Sequence, residues 1–201
     1  MAHPLRPDTV LVAFDLDGTL TRRDTLLHFL LFTRGWWRVG VSLLMLSPLM
    51  ALALLGVCNS GRAKERLLRW HFRGTTRVQM QAWGEEFSAV AMRWLNEPVI
   101  ELLRRHQREG HTVCVVSASI DDWVRPICAQ LGIVHVIATQ FDYDANGRLT
   151  GCFATPNCSG KEKVRRLLDE FPNRSDYKLY AYGNSHGDDA LLEEADEKLK
   201  V

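Results

Sequence analysis

Val10-Leu11-Val12-Ala13-Phe14-Asp15-Leu16-Asp17-Gly18-Thr19-Leu20 is the stretch that decides the fold. Its first five residues are an apolar run of strand length, and Gly18-Thr19 is the turn that ends it. Asp15 and Asp17 follow the run directly, two carboxylates separated by one residue. On a continuing strand they would share a face, because side chains alternate, while the turn carries Asp17 over the strand's end. In α/β proteins that carboxyl end is where ligands bind. Carboxylates this close repel unless a cation or a shared proton holds them. The pair suits a carboxylate nucleophile beside a carboxyl acid/base, with a divalent metal neutralising both. An Asp-rich turn after an ordinary strand has the same local sequence, so the rest of the chain must decide.

Working outward, His111-Thr112-Val113-Cys114-Val115-Val116-Ser117-Ala118-Ser119 is a second β-branched run, ending in small hydroxyl residues. Residues 99–109 precede it as a helix stopped by Gly110, residues 124–131 follow as a helix stopped by Gly132, and residues 133–138 form a third strand. Strand, helix, strand with short connections implies a parallel sheet. Asn146-Gly147 marks a hairpin within residues 141–150. Gly160 opens a helix through Leu168, and Lys178-Leu179-Tyr180-Ala181-Tyr182-Gly183 is a fourth core strand running into Asn184-Ser185-His186-Gly187-Asp188-Asp189. A helix over 190–195 and a further strand beginning at Lys198 complete the reading.

The chain has 201 residues, 46% hydrophobic and 24% charged, enough for one good core and a smaller second module. Its net charge of +1 gives no reason to expect nucleic acid as a partner. Residues 22–80 nevertheless carry ten Lys and Arg against Asp24 and Glu65, a net of +8, which is either an anion-facing surface or a solvated helix face. Five cysteines without C-x-x-C spacing fit free thiols in a reduced, cytoplasmic compartment, and residues 1–8 lack the apolar core of a signal peptide.

From Val39 to Gly61 there is no charged residue, and Trp36-Trp37-Arg38 precedes the run. A stretch of ~20 apolar residues with Trp and Arg at its edge is the signal of a membrane helix. A single crossing, however, would leave Asp15 and everything after Gly61 on opposite sides. The segment over 39–58 therefore reads either as an arm dipping into one leaflet, kinked at Pro48, or as a buried helix of a bundle. The whole insert over 22–95 is expected to be helical, with 1–21 and 96–201 forming the α/β core.

Asp15, Asp17, Ser117, Lys163 and the 184–189 loop all stand at strand ends or at the start of a helix. Together they provide what an anionic phosphoryl group needs, a nucleophile surrounded by cations and hydrogen-bond donors. In these motifs, Asp15-Leu-Asp17-Gly-Thr, Val116-Ser117-Ala-Ser, Gly160-x-x-Lys163-Val and Gly183-Asn-Ser-x-Gly-Asp188, the chain resembles the haloacid dehalogenase (HAD) superfamily, in its phosphoserine-phosphatase-like branch. The resemblance implies a Rossmann-like parallel sheet with an inserted α-helical C1-type cap. It implies an aspartyl-phosphate on Asp15, with Asp17 protonating the leaving alcohol and then activating water. Ser117, Ala118 and Lys163 are implied to bind the phosphate, and Asp15, the Asp17 carbonyl, Asn184 and Asp188 to hold Mg²⁺. Asn184 stands where the family usually has Asp, so a raised Mg²⁺ requirement is expected.

The basic and apolar insert suits a lipid phosphomonoester at the inner face of the cell membrane, and resembles that of bacterial phosphatidylglycerophosphate phosphatases in character and position. A small soluble phosphomonoester such as phosphoserine is the alternative substrate, and a phosphate-binding protein with weakened turnover is the alternative role. The sequence leaves the oligomeric state open.

Overall fold

The computed structural model describes residues 9–54 and 60–201; the readings for residues 1–8, and for Cys58 and the rest of 55–59, lie outside them. Strand β1 (Thr9–Phe14) leads into α1 (Thr25–Leu54), α2 (Ser60–Phe72) and α3 (Arg77–Ala91), which together form the insert. The core resumes with α4 (Glu97–Arg108), β2 (Thr112–Ile120), α5 (Asp121–Gln130) and β3 (His135–Thr139). A hairpin of β4 (Phe141–Tyr143) and β5 (Leu149–Phe153) follows, then α6 (Lys161–Glu170), β6 (Tyr177–Gly183), α7 (Asp189–Glu194) and β7 (Glu197–Lys200).

The main sheet has the order β3-β2-β1-β6-β7, and every pairing in it is parallel. Strand β1 lies at its centre, with Leu11 opposite Thr112 on one side and Leu179 on the other. A central parallel strand is covered on both faces, which explains its unbroken apolar sequence. Side-chain alternation divides the core accordingly. Leu11 and Ala13 pack with Leu167, Phe171 and Leu191 beneath α6 and α7, whereas Val12 and Phe14 join the cluster on the opposite face. After β1 the chain builds outward through β2 and β3, then returns to place β6 on the other side. This reversal creates the crevice at the carboxyl ends of the strands where ligands bind in such sheets.

The second cluster continues from the core into the insert. Phe29 of α1 stacks on Trp123 of α5 with ring centroids 4.3 Å apart and meets Phe87 of α3 edge-on at 5.3 Å. The helices therefore form a cap over the strand ends. Its two connections to the core lie side by side: Thr21 bridges to Leu95, Arg22 N donates to Trp94 O at 2.7 Å, and Asn96 N donates to Leu20 O at 2.9 Å. The hairpin braces the cap from the side through Gly74 N to Leu149 O (2.8 Å) and Phe153 N to Glu65 Oε1 (2.8 Å).

A break in α1 that the sequence reading does not anticipate lies at Gly35, upstream of Pro48. Gly35, with φ 75° and ψ 159°, is the residue with non-helical backbone angles inside α1. Such angles are open to glycine without the steric cost that a Cβ imposes. Before this break, Phe29 and Leu30 are buried. Beyond it, Val39 and Ser42 are buried, while Trp36 (75%), Trp37 (67%), Leu44 (75%) and Met45 (61%) face outward. The described part of the apolar run is thus seated along one side and bare along the other, and is not enclosed in a bundle.

Candidate active site

Asp15 is the first residue after β1, and its backbone N–H donates to Tyr182 O of β6 at 2.9 Å. Its carboxylate is buried against Lys163, which is 1% exposed and sits in the first turn of α6. The Lys163 ammonium donates to Asp15 Oδ1, Asp188 Oδ1 and Val116 O, each at 2.6 Å. An ammonium has three protons, so this lysine is fully satisfied. Burial alone would lower its pKa, but Asp15 and Asp188 outweigh that and raise it, keeping the side chain charged. Burial also raises the pKa of Asp15, to about 6, against the attraction of Lys163 and with help from Asp188 and Asp17.

Asp17 belongs to a different set of contacts. Thr25 N donates to its Oδ1 at 2.6 Å, and Ser119 Oγ donates to its Oδ2 at 2.5 Å. Thr25 Oγ1 donates to Ser119 Oγ at 3.1 Å and itself accepts from Trp123 Nε1 at 3.1 Å. Burial is the main reason that the Asp17 pKa is raised, the neighbouring Asp24 adds to it, and the Ser119 and Thr25 hydrogen bonds oppose it. A carboxyl held toward its protonated form beside an ionisable carboxylate is the arrangement that divides acid from nucleophile.

The loop after β6 turns around Asp188, whose Oδ2 accepts from Asn184 N (3.1 Å), Ser185 N (2.9 Å) and Ser185 Oγ (2.8 Å). Both Asp188 oxygens are thereby engaged, and Lys163 holds the carboxyl pKa down despite burial. Asn184 packs so closely on Gly18 that a Cβ there would collide with its amide, and Gly18 has φ +80°. The Asn184 Oδ1 is buried with no hydrogen-bond partner. An unsatisfied buried oxygen beside the Asp15 carboxylate loop fits a hard, oxygen-seeking cation such as Mg²⁺. Asp15 and Asn184 would hold that ion, while Asp188, implied as a further ligand, has its oxygens on Lys163, Asn184 N and Ser185. Asp17 turns its side-chain oxygens to Thr25 and Ser119, which fits the implied use of its carbonyl, not its carboxylate, toward the ion.

Ser117 is buried, its Oγ accepting from Ser119 N at 3.0 Å, where the pairing of β2 with β3 shifts register. The carbonyl of Ala118 accepts from Thr139 Oγ1 at 2.8 Å and from Lys64 Nζ. Lys64 comes from α2, so the cap itself puts a cation into the site. Burial pushes its pKa down to about 8, while Asp17 and Asp24 pull it upward. Asp15, Asp17, Asp24, Lys64, Ser119, Lys163, Asn184 and Asp188 line one cavity of about 480 Å³. His186, inside the same loop, points to solvent and contacts Asp189 at 2.8 Å. Sequence reasoning missed Lys64, Thr25 and the role of Ser119. Ser119 was visible as the last hydroxyl of its strand, but nothing local separated Lys64 from the other cations of the basic insert.

The covered parallel sheet, the cap and the buried acid–lysine cluster define a phosphatase-like hydrolase of the α/β class. Residues 12–193 match the family described as HAD, haloacid dehalogenase-like hydrolase, and the chain belongs to it. Over 201 residues it is 35% identical to Protein CicA of Caulobacter vibrioides, a match spanning 98% of this chain and 88% of that one. A protein with unknown function from Bordetella pertussis Tohama I is similar in structure, with TM-score 0.79 and 27% identity over 96% of this chain and 90% of the other. A phospho-aspartyl intermediate analogue of phosphoserine phosphatase aligns with TM-score 0.62 and 19% identity, over 96% of this chain and 86% of the other, which shows a shared fold.

Proposed function

We propose that this chain is a Mg²⁺-dependent phosphomonoester hydrolase that acts through an aspartyl-phosphate on an amphiphilic or lipid phosphate, such as phosphatidylglycerophosphate, at the inner surface of the cell membrane. Asp15 attacks the phosphorus and the P–O bond to the alcohol breaks. Asp17 gives the leaving oxygen its proton, then takes one from the water that hydrolyses the acyl phosphate. Lys163 balances charge beside Asp15, and bound Mg²⁺ supplies the remaining neutralisation of the phosphoryl oxygens.

The lipid part of this reading is carried by the exposed arm of the cap. Residues 25–47 have the length and hydropathy of a membrane span, but the half before Gly35 is anchored in the cap by Phe29 and Leu30. What remains free is the bare side of residues 36–47, with two adjacent Trp residues at its base, and α2 lies against its other side through Ser42 and His71. Arg34 and Arg38 of α1 line one cavity with Trp37, Val41, Trp70 and His71, so cations adjoin the apolar wedge at its base. This combination favours an anionic lipid surface.

The test is phosphate release from phosphatidylglycerophosphate in mixed micelles beside phosphoserine, with Mg²⁺ and with chelator. Preference for the lipid, lost in Asp15→Asn and reduced in Trp36→Ser/Leu44→Ser, is the expected result. Preference for phosphoserine would overturn the lipid assignment, and phosphate binding without release from either would overturn turnover itself.

A further inference from the structure

Away from the strand ends, the turn from α4 into β2 gathers three metal-binding side chains: His106 in the last turn of α4, Glu109 at its C-cap, and His111 just before β2. One ligand atom from each lies within 4.8 Å of the others. We propose that His106 Nδ1, His111 Nδ1 and the Glu109 carboxylate form a second metal site, for a transition-metal dication of the Zn²⁺ class, which pins the end of α4 to the sheet.

Two of the three ligands are already oriented through their other atom. His106 Nε2 is 2.8 Å from Tyr182 OH, and Glu109 Oε1 accepts from Arg105 Nε at 2.9 Å. Partners of this kind fix ring orientation and tautomer in metal-binding histidines. The His106 ring is buried, with ring centroids of Tyr180 and Tyr182 at 5.3 and 5.7 Å, and its Nδ1 is turned toward His111. Gly110, with φ 75°, allows the reversal that brings Glu109 and His111 to the same side, and His111 N donates to His106 O at 3.1 Å to close the turn.

His111 Nδ1 faces two acceptors at once, His106 Nδ1 at 2.8 Å and Glu109 Oε2 at 3.6 Å. One ring proton serves the first and leaves the second beyond hydrogen-bond reach. A cation between the three atoms satisfies them all. Metal–nitrogen bonds of about 2.1 Å spanning that nitrogen separation subtend an angle near 85°, close to a six-coordinate site, and a small rotation of the half-buried His111 opens it to a tetrahedral one. The carbonyl end of α4 favours positive charge. Two imidazoles with one carboxylate select a borderline metal, in contrast to the oxygen donors beside Asp15.

The test uses the full chain, stripped with chelator and kept in millimolar Mg²⁺, with Cys152→Ser removing the thiol that is exposed among the described residues, and Cys58→Ser the one outside them, as competing ligands. Zn²⁺ is titrated by calorimetry, Co²⁺ is followed by its visible absorption, and melting is recorded with and without Zn²⁺. One equivalent bound at micromolar Kd or tighter, with a raised Tm, is expected. Binding should weaken in His111→Ala by at least the roughly 10–100-fold that loss of an outer-shell partner costs, since a direct ligand is removed. Glu109→Gln, a change at an exposed position, should weaken it less while leaving the metal-free Tm unchanged. No binding in this range, or binding that neither substitution alters, would overturn the site and leave His106 and His111 sharing only a proton.

Discussion

Ser119 Oγ donates to Asp17 Oδ2 at 2.5 Å, joining the end of β2 to the loop after β1. The bond favours the charged carboxylate and so restrains the rise in the Asp17 pKa that burial causes. Ser119→Ala should therefore move the alkaline limb of the kcat profile to higher pH and lower kcat by about tenfold through lost orientation. A lower kcat with an unmoved limb would reduce Ser119 to a packing residue.

Asp15→Asn should abolish turnover, by on the order of 10³-fold or more, and yet stabilise the metal-free protein at neutral and alkaline pH. The sign follows from the raised pKa. From the ordinary value of 3.8 up to about 6 the folded chain holds a proton that the unfolded chain has lost, so stability falls as pH rises through this window. The neutral amide escapes that loss. Urea unfolding in chelator at pH 8 should show a gain on the order of 1–3 kcal/mol; a loss would mean that the pairing with Lys163 outweighs burial.

Asn184→Asp adds charge where the amide oxygen is unsatisfied. Mg²⁺ should bind about tenfold more tightly, read by calorimetry as well as by the Mg²⁺ dependence of phosphate release. Unchanged affinity would remove Asn184 from the metal site.

Lys64 is charged below its pKa of about 8 and neutral above it. For an anionic substrate, KM should rise as pH passes through this value. Lys64→Met should raise KM about tenfold and remove that pH dependence, while kcat changes little. An effect confined to kcat would place Lys64 in the chemical step instead.

His71 Nε2 lies 2.8 Å from Ser42 Oγ on the arm, and burial, then Arg34 and Arg38, push its pKa down from 6.5 to about 4. Between these values the unfolded chain takes up a proton that the folded chain refuses. Stability from this contact is present above pH 6.5 and is lost on acidification toward pH 4. Tm measured across this range should fall less steeply in His71→Asn than in the parent, and equal slopes would contradict the assignment.

Much of this architecture is written in local sequence. The run ending at Phe14, the hydroxyl-tipped run ending at Ser119 and the run ending at Gly183 form strands because side-chain alternation, β-branching and turn residues act over a few positions. Their parallel arrangement follows from the helices between them, which put Asp15, Ser117 and the Asn184 loop at one edge. Tertiary structure alone selected Lys64 from ten cations, joined Thr25 to Ser119 across 94 residues, and left one side of the arm bare beyond Gly35. Those outcomes depend on which distant surfaces pack together, and no window of neighbouring residues contains that information.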